Sequence, residues 1–498
     1  MFKQKFVVQF GSTIIPQLLT MVAGLVVTRV AGPEVVGVIA YGTAFVSLFL
    51  FATGLFGTSH IKMISEGQDE GKCMGTYLRL QIIAIIIYIF LVIGWFLIQK
   101  HIINYQFTKT QIIVIWLTFG ATILANFLNF PQSTFTAKIQ LAKANTPNFL
   151  YSILFNTGRI IIVLIGFRAV GLAAWKGLSL IIILPITFYL IKQLKFGTYD
   201  KNLSKKYLKI SFPVFIMVIT NSLIQYSDKL ILDHFNDVKE LGYYTAAYSI
   251  GGLVITASII AGAVFFPLFS KYIKESNWVS INQKISSFHN FSFLFILPGV
   301  CFLALIADPL IPFLLGDRYL ASVKPFMVLL FSSFVLVWGM PYGNIITGMG
   351  LFSTAALLNF MKFLVFTISL YFLLNPKYMG LGALGLAINT FIVNIFHNLL
   401  FWIVSKRKGK LIHNHSHLLI FTINILLFGI TFWILNGFQI FETMRWRYFL
   451  FIGYLPLNFF LLWLFGFLNK QSILLLTDLL NINKTIKYIS GEFNNEKK

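Results

Sequence analysis

The sequence predicts an all-α membrane protein that crosses the bilayer about fourteen times. Only 11% of its 498 residues are charged and 57% are hydrophobic, whereas roughly 25% of a soluble protein is charged. Apolar runs of about 20 residues, the length that an α-helix needs to cross the hydrocarbon core, recur along the whole chain. Because these runs lack the two-residue alternation of barrel strands, we expect helices.

Fourteen apolar runs account for most of the chain. Numbered in chain order, they cover about residues 8–30, 36–58, 80–99, 110–130, 149–168, 171–191, 210–232, 243–267, 288–307, 325–347, 353–374, 381–404, 418–437 and 447–468. Run 1 lacks a small-residue cleavage site and is followed by many others. We therefore expect it to be a membrane span and not a signal peptide.

The net charge of +23 is explained by orientation in a membrane. With the N-terminus inside the cell, 25 Lys and Arg residues lie in the inner connections and the tail, and 9 lie in the outer connections. This excess follows the positive-inside rule. The sequence therefore predicts that both termini face the cytoplasm and that the basic residues do not bind nucleic acid.

Two parts of the chain resemble each other at an offset of about 205 residues. The segment GPEVVGVIAYGTAF aligns with DVKELGYYTAAYSI, which places Gly37 on Gly242. A second alignment, at an offset of 209, places Gly171 on Gly380. Runs 1–6 therefore look like a duplicate of runs 7–12, with both copies in one orientation, as in transporters built from parallel repeats.

The predicted organisation has two pseudo-symmetric six-helix lobes followed by two further helices and a tail. The parts are a lobe at 1–205, a lobe at 206–410, two additional transmembrane helices at 411–470 and a cytoplasmic amphipathic tail at 471–498. Apolar residues at helical spacing form one stripe of the tail. This pattern predicts a helix that lies on the membrane surface or binds a partner.

The sequence predicts no cofactor and no metal site. GLGALG (380–385) matches the dinucleotide fingerprint, but it opens an apolar run and is followed by basic residues where the fingerprint needs an acid. Small residues that let helices pack closely explain it better. Cys73 and Cys301 lie in an inner loop and in an apolar run, where neither suits a disulfide or a metal ligand.

Charged residues in run 7 are candidates for a gate or for ion coupling. Asp228, Lys229 and Asp233 lie close to the outer edge of the hydrocarbon core, and the four-residue spacing lets Lys229 pair with Asp233. Arg29, a candidate substrate-binding residue, lies at a similar depth in run 1. These residues either form an interfacial cluster of paired charges or an outer gate that faces a central cleft.

Two cations are expected near the middle of the membrane. Arg159 and Lys362 lie about ten residues into runs 5 and 11, where a charge costs roughly 2.5–3.5 kcal/mol and normally faces a wet cavity or a partner. Neither has an acid in its own run. One cation in each lobe would suit an anion such as a diphosphate. Polar residues that could line the same cleft, or instead pack between helices, are Asn156, Asn359, Asn389, Asn394 and His397, of which His397 is also a candidate coupling group.

Several short motifs resemble those of the Wzx-type polysaccharide and O-antigen flippases. These are TRVAGPEVVG after run 1, SDKLIL and ELGYYTAAYS around runs 7 and 8, and VGLAAW at the start of run 6. The family belongs to a superfamily that also holds multidrug antiporters and the lipid II flippase MurJ. The resemblance extends over most of runs 1–12. It implies a V-shaped bundle of two six-helix lobes in the bacterial cytoplasmic (inner) membrane.

The resemblance also implies a substrate and partners. Wzx-type proteins move undecaprenyl-diphosphate-linked oligosaccharides from the cytoplasmic to the outer leaflet by alternating access. The implied partners are this lipid-linked oligosaccharide, membrane lipids, and the polysaccharide polymerase and chain-length proteins.

Three alternative functions remain: two other kinds of transporter and a membrane enzyme. A lipid II flippase similar to MurJ would share the cationic cavity and the two extra helices. A multidrug antiporter would want acids in runs 1 and 2, where only Glu34 occurs, in the turn between them. A membrane enzyme would need a sizeable outer loop or paired carboxylates, and the outer connections are short. We therefore expect a transporter and no catalytic residues.

Overall fold

A computed structural model describes residues 2–138, 140–411, 416–437 and 444–468. Within these ranges the chain is helical for most of its length and has no β-strand. The first nine helices are α1 (Phe2–Ala31), α2 (Pro33–Ser47), α3 (Phe56–Ser65), α4 (Glu70–His101), α5 (Lys109–Ala137), α6 (Leu141–Leu164), α7 (Ala169–Ile191), α8 (Lys201–Phe235) and α9 (Val238–Lys274). The last eight are α10 (Trp278–Phe291), α11 (Leu297–Leu305), α12 (Ala307–Leu315), α13 (Val323–Gly348), α14 (Phe352–Leu374), α15 (Gly382–Lys408), α16 (Ser416–Gly437) and α17 (Met444–Leu464).

The fourteen apolar runs lie in helices, although the short helices α3, α10 and α12 fall mostly outside the runs. The predicted fold class of an all-α polytopic membrane protein is confirmed. In the described part of the chain, nine helices are long and apolar enough to cross a membrane, and three shorter apolar helices lie in α1, α16 and α17. Runs 7 and 8 lie in α8 and α9, which have 35 and 37 residues. The predicted tail helix (471–498) lies outside the described residues.

The chain forms two compact units. Unit 1 comprises Met1–Ala246, Leu314–Tyr319 and Thr367–Leu386, and unit 2 comprises Ala247–Phe313, Leu320–Phe366 and Ala387–Lys498. In unit 1, α5 packs on α7 and α1 packs on α6. In unit 2, α11 packs on α13, α16 and α17. The lobe boundaries at residues 205 and 410 stay a prediction.

Unit 1 has two chemically different ends. The basic end contains residues 62–79, 138–143 and 192–209. The opposite end contains residues 28–37, 101–109 and 233–242. At the basic end, Lys138 pairs with Glu70 and Lys143 donates a hydrogen bond to Gln193. These contacts tie α4, α5, α6 and the connection after α7 together.

The connection from α7 to α8, residues 192–200, is held against the first turns of α4. The Gly197 amide donates to the Gly71 carbonyl oxygen at 2.9 Å. A Cβ atom on Gly75 would lie 2.1 Å from the Gly197 carbonyl oxygen, so the two backbones touch where no side chain fits. The Asp200 carboxylate then accepts two backbone N–H bonds and caps α8, which lowers the pKa of Asp200.

A buried histidine organises the packing beneath this connection. His60 is fully buried, with Nδ1 2.7 Å from the Tyr207 hydroxyl and Nε2 2.8 Å from the Thr134 hydroxyl. Its ring stacks on Tyr77, with 4.2 Å between the ring centroids. Burial lowers the pKa of His60 from its usual value near 6.5 to about 3. The neutral ring therefore joins α3 to α4, α5 and α8.

The lowered pKa of His60 predicts an acid-sensitive contribution to stability. The unfolded chain binds a proton near pH 6.5 and the folded chain only near pH 3, so this stability is complete above about 6.5 and is lost progressively as the pH falls toward 3. Thermal unfolding of the purified protein in detergent should show a larger fall in Tm between about pH 7.5 and about pH 5 in wild type than in His60→Gln. Equal falls in the two proteins would contradict the role of His60.

Candidate functional site

Arg159 lies near the C-terminal end of helix α6. Helix α6 begins at Leu141, eight residues before the apolar run, and ends at Leu164. Arg159 is therefore 18 residues from the first residue of the helix, about 27 Å at the helical rise, and five from the last. The mid-membrane position of Arg159 stays a prediction, because the polar first turns of α6 lengthen the helix at its other end and do not fix the depth of Arg159.

The Arg159 guanidinium is partly satisfied by helix α1. Its Nη2 donates to the Thr20 carbonyl oxygen at 2.5 Å, and the group lies 5.3 Å from the centroid of the Phe155 ring. A Cβ atom on Gly24 would lie 3.9 Å from Nη2, so the glycine leaves room for the side chain. Among the described residues, the buried Nε has no hydrogen-bond partner and no carboxylate pairs with the charge. One charge-bearing donor is thus unused.

Asn156 lies one turn before Arg159 and contacts the same residue of α1. Its Nδ2 donates to the Thr20 hydroxyl at 3.1 Å and to the Ser152 carbonyl oxygen at 2.7 Å. Within the described structure its buried Oδ1 has no partner. We call Thr20, Ser152, Asn156 and Arg159 the α1–α6 polar cluster. It presents one free donor with positive charge and one free acceptor.

Lys362 lies near the middle of α14 in unit 2, ten residues after Phe352, and its mid-membrane depth stays a prediction. Asn359 is one turn away, and its Oδ1 lies 3.2 Å from Nε2 of His397 on α15. His397 also interacts electrostatically with Lys362. The structure thus brings together three of the predicted residues, which we call the α14–α15 polar cluster. Within the described ranges no carboxylate pairs with Lys362.

Asn389 and Asn394 are buried inside unit 2. Asn394 donates to the Ser332 hydroxyl at 2.9 Å and joins α15 to α13. Asn389 is fully buried on α15. The Asn394 contact matches the helix-packing alternative, and a substrate-binding role of either residue stays a prediction.

The charged side chains of α8 do not form the pair that their spacing along the helix predicts. Lys229 Nζ lies 3.1 Å from Oδ1 of Asp228 and donates to the Gln225 carbonyl oxygen at 2.7 Å. Asp233 accepts a hydrogen bond from the Tyr105 hydroxyl instead. The predicted pair of Lys229 with Asp233 is therefore wrong, because a residue from another part of the fold occupies the Asp233 carboxylate.

Tyr105 is a contact residue that sequence reasoning missed. It lies in the connection between α4 and α5, where its hydroxyl also accepts from Gln111 at 3.2 Å. Its ring stacks on Tyr41 of α2, with 6.0 Å between centroids. Burial, together with the Asp233 carboxylate, raises the pKa of the Tyr105 hydroxyl. A lone tyrosine in a short connection gives no sequence signal, whereas Thr20 was detectable as a polar residue inside an apolar run.

The backbones of α2 and α9 touch at the opposite end of unit 1. A Cβ atom on Gly37 would lie 1.8 Å from the Val238 carbonyl oxygen, and one on Gly242 would lie 1.8 Å from the Pro33 carbonyl oxygen. The offset of 205 that relates Gly37 to Gly242 also relates Pro33 to Val238. The two contacts are therefore equivalent under exchange of the repeats. We call these four residues the glycine crossing.

Two hydrogen bonds hold the C-terminal end of α1 at the same end of unit 1. Arg29 Nη1 lies 3.4 Å from the Leu314 carbonyl oxygen, and the Tyr319 hydroxyl donates to the Thr28 carbonyl oxygen at 2.9 Å. Arg29 is exposed. It belongs to the same end of unit 1 as Asp233, and its guanidinium contacts a backbone carbonyl oxygen there.

Solved structures similar to this one are membrane transport proteins. The fold is that of a multi-pass membrane protein similar to "Lipid II flippase MurJ, inward closed conformation", with a TM-score of 0.71, 15% identity, and coverage of 92% of this chain and 97% of that chain. It is also similar to an inward-facing multidrug resistance MATE family transporter of the MOP superfamily, with a TM-score of 0.66, 17% identity, and coverage of 81% of this chain and 98% of that chain.

The family follows from the sequence itself. The family described as polysaccharide biosynthesis protein matches residues 26–324. The chain therefore belongs to this family of polysaccharide biosynthesis proteins. The comparison with curated proteins gives no match.

The glycine crossing predicts a strong effect of a small substitution. Gly37→Ala should lower the free energy of unfolding by about 1–3 kcal/mol, because the added methyl forces the backbones of α2 and α9 apart. Gly94→Ala on α4 is the matched control, since its Cβ atom would meet nothing within 4 Å. Thermal unfolding in detergent measures both. Similar Tm values for the two variants would contradict the contact.

A double-mutant cycle tests the hydrogen bond between Tyr105 and Asp233. Tyr105→Phe leaves a buried carboxylate without its donor and should cost about 1–3 kcal/mol. Adding Asp233→Leu should cost less in the Tyr105→Phe background than in wild type, because the unpaired acceptor is removed. Additive losses of unfolding free energy would show that the two side chains do not interact.

Proposed function

We propose that the protein is a flippase for a lipid-linked oligosaccharide that carries a diphosphate, such as an undecaprenyl-diphosphate-linked polysaccharide or O-antigen repeat unit. The observation that carries the proposal is the unpaired Nε of Arg159 in the α1–α6 polar cluster. Membership of a polysaccharide biosynthesis family agrees with this substrate class. In this proposal the protein moves the substrate between leaflets by alternating access and catalyses no reaction.

The chemistry of Arg159 suits a phosphate. A guanidinium is a planar fork of donors that binds two oxygens of one phosphate. The Nη2 donor of Arg159 already binds the Thr20 carbonyl oxygen, and this hydrogen bond orients the guanidinium. The free Nε would donate to a phosphate oxygen, and the free Oδ1 of Asn156 would accept from a sugar hydroxyl. A charge at this depth without a carboxylate is costly unless a wet path or an anion compensates it.

The α14–α15 polar cluster would act on the same kind of substrate. Lys362 supplies a point charge without a fixed fork, and the Asn359–His397 hydrogen bond holds a polar pair beside it. We propose that Lys362 attracts an anionic group and that Asn359 and His397 contact hydroxyls. Asn389 and Asn394 would support α15 from within unit 2.

The opposite end of unit 1 would serve as a gate. The hydrogen bond from Tyr105 to Asp233, the Asp228–Lys229 pair and the Arg29 contact all lie there. An outward opening of α8 and α9 would separate these two helices from α2 and from the connection that contains Tyr105. In this proposal the basic end faces the cytoplasm, both termini are cytoplasmic, and the protein lies in a bacterial inner membrane. Polysaccharide polymerase and chain-length proteins would receive the product.

Flipping is tested directly in vesicles that contain the purified protein and a labelled undecaprenyl-diphosphate oligosaccharide. Transfer of the sugar to the far side is measured by its accessibility to an added lectin or oxidant. Arg159→Gln and Lys362→Gln should each lower the transfer rate by about tenfold or more, because each removes a charge-assisted bond to the diphosphate.

Two matched variants control this experiment. Arg168→Gln and Lys377→Gln remove an exposed cation from the connections that follow the helices of Arg159 and Lys362, and they should transfer at the wild-type rate. Near-normal transfer in both Arg159→Gln and Lys362→Gln would refute the role of the cations. Cation efflux without sugar transfer would indicate the multidrug antiporter, and transfer of lipid II alone would indicate a lipid II flippase.

A further inference from the structure

The first turns of α8 carry a row of exposed lysines. Lys201, Lys205 and Lys209 are spaced four residues apart, so they lie on one face of the helix, about 6 Å apart along its axis. All three are exposed. We call them the lysine row. The other face of the same turns is buried, with Leu203 and Tyr207 in the core of unit 1.

Nothing in the described part of the chain neutralises the lysine row. The carboxylates of the basic end are engaged elsewhere: Glu66 with Lys62, Glu70 with Lys138, and Asp69 and Asp200 as helix caps. Like charges four residues apart repel each other on a helix. An anion from outside the chain would relieve this repulsion.

Helix α8 is long enough to place the lysine row at the depth of lipid head groups. Helix α8 has 35 residues and is about 52 Å long, whereas the hydrocarbon core is about 30 Å thick. If Asp228 and Asp233 lie near one edge of the core, as the sequence predicts, the first ten residues of α8 extend beyond the other edge. The lysines would then lie beside phosphates and not beside acyl chains.

Apolar residues on the same face indicate a membrane surface and not an acidic protein. Leu208 is 52% exposed and Phe212 is 67% exposed, and both lie on the side of the lysine row. In the connection just before α8, Phe196 is 46% exposed. Lysine ammonium groups that stay at the surface while neighbouring apolar groups enter the bilayer are typical of membrane interfaces.

The fold holds this surface in place before any lipid binds. The contact of Gly197 with Gly71 and the capping by Asp200 fix the start of α8. The Arg79 guanidinium lies 4.4 Å from the centroid of the Tyr199 ring and adds a further cation beside the connection. A fixed surface loses little entropy when it binds a head group.

We infer that the lysine row is a binding site for the head groups of anionic phospholipids. This inference is independent of what the protein transports. A row of three ammonium groups, flanked by exposed Leu208 and Phe212, would concentrate anionic lipid around the start of α8 and anchor that end of the helix at the membrane surface.

Energy transfer from a fluorophore beside the row tests the site. Cys73 and Cys301 are buried, so a label is directed to Asn202→Cys, which is exposed next to the row. The labelled full-length protein is reconstituted in phosphatidylcholine vesicles that contain a trace of acceptor-labelled phosphatidylglycerol or of acceptor-labelled phosphatidylcholine. Transfer to phosphatidylglycerol should exceed transfer to phosphatidylcholine by about twofold or more. Raising the salt from about 0.1 M to about 1 M should abolish the difference, because the Debye length falls from about 10 Å to about 3 Å.

Three sets of variants in the Asn202→Cys background decide the assignment. Lys201→Gln, Lys205→Gln and Lys209→Gln together should abolish the preference, whereas the three corresponding Lys→Arg changes should keep it. Lys100→Gln, Lys109→Gln and Lys377→Gln together remove three exposed cations elsewhere and should also keep it.

Two results would overturn the inference: equal transfer to the two lipids in the parent protein, or a preference that survives in the triple Gln variant. An acidic protein partner would then be the better explanation of the row. Loss of oligosaccharide flipping with an intact lipid preference would count against the proposed function alone.

Discussion

The hydrocarbon core of a membrane offers no water to a backbone amide, so each amide must find its partner inside the protein. This constraint makes the apolar runs helical, and it acts on polar side chains too. Asn394 donates to Ser332, and Asn458 of α17 donates to Asn424 of α16. Some buried polar atoms of the described residues still lack a partner, and among them the Nε of Arg159 is the one that belongs to a charged group.

Acidic residues are scarce in this chain, with 16 Asp and Glu against 39 Lys and Arg. The acidic residues whose contacts are identified stabilise the fold. Asp69 and Asp200 cap helices, Asp233 accepts from Tyr105, and Glu240 accepts from the Ala383 amide. Such acids are not available to neutralise Arg159 of α6, the lysine row of α8 or Lys362 of α14. The surplus of unpaired positive charge therefore follows from both composition and folding, and it suits anionic ligands.

The glycine crossing shows which features the sequence could predict and which it could not. The sequence alone aligns Gly37 with Gly242, because the two glycines occupy the same position in two similar motifs. That the two glycines lie against each other was not, because equivalence in a repeat does not specify contact. The same limit applies to α6. Its apolar run predicted a helix, but not that the polar residues between Leu141 and the run are helical as well.

The sequence by itself determined the all-α membrane fold class and the residues that carry charge, because apolar length and composition decide what a bilayer accepts. It also determined the family, through its motifs. Only the tertiary structure decided which partner each charge has. Lys229 and Asp233 are one turn apart, yet Asp233 binds Tyr105 from a connection 128 residues earlier. A buried carboxylate takes the donor that the fold brings to it, and that donor is set by packing between helices and not by spacing along one helix.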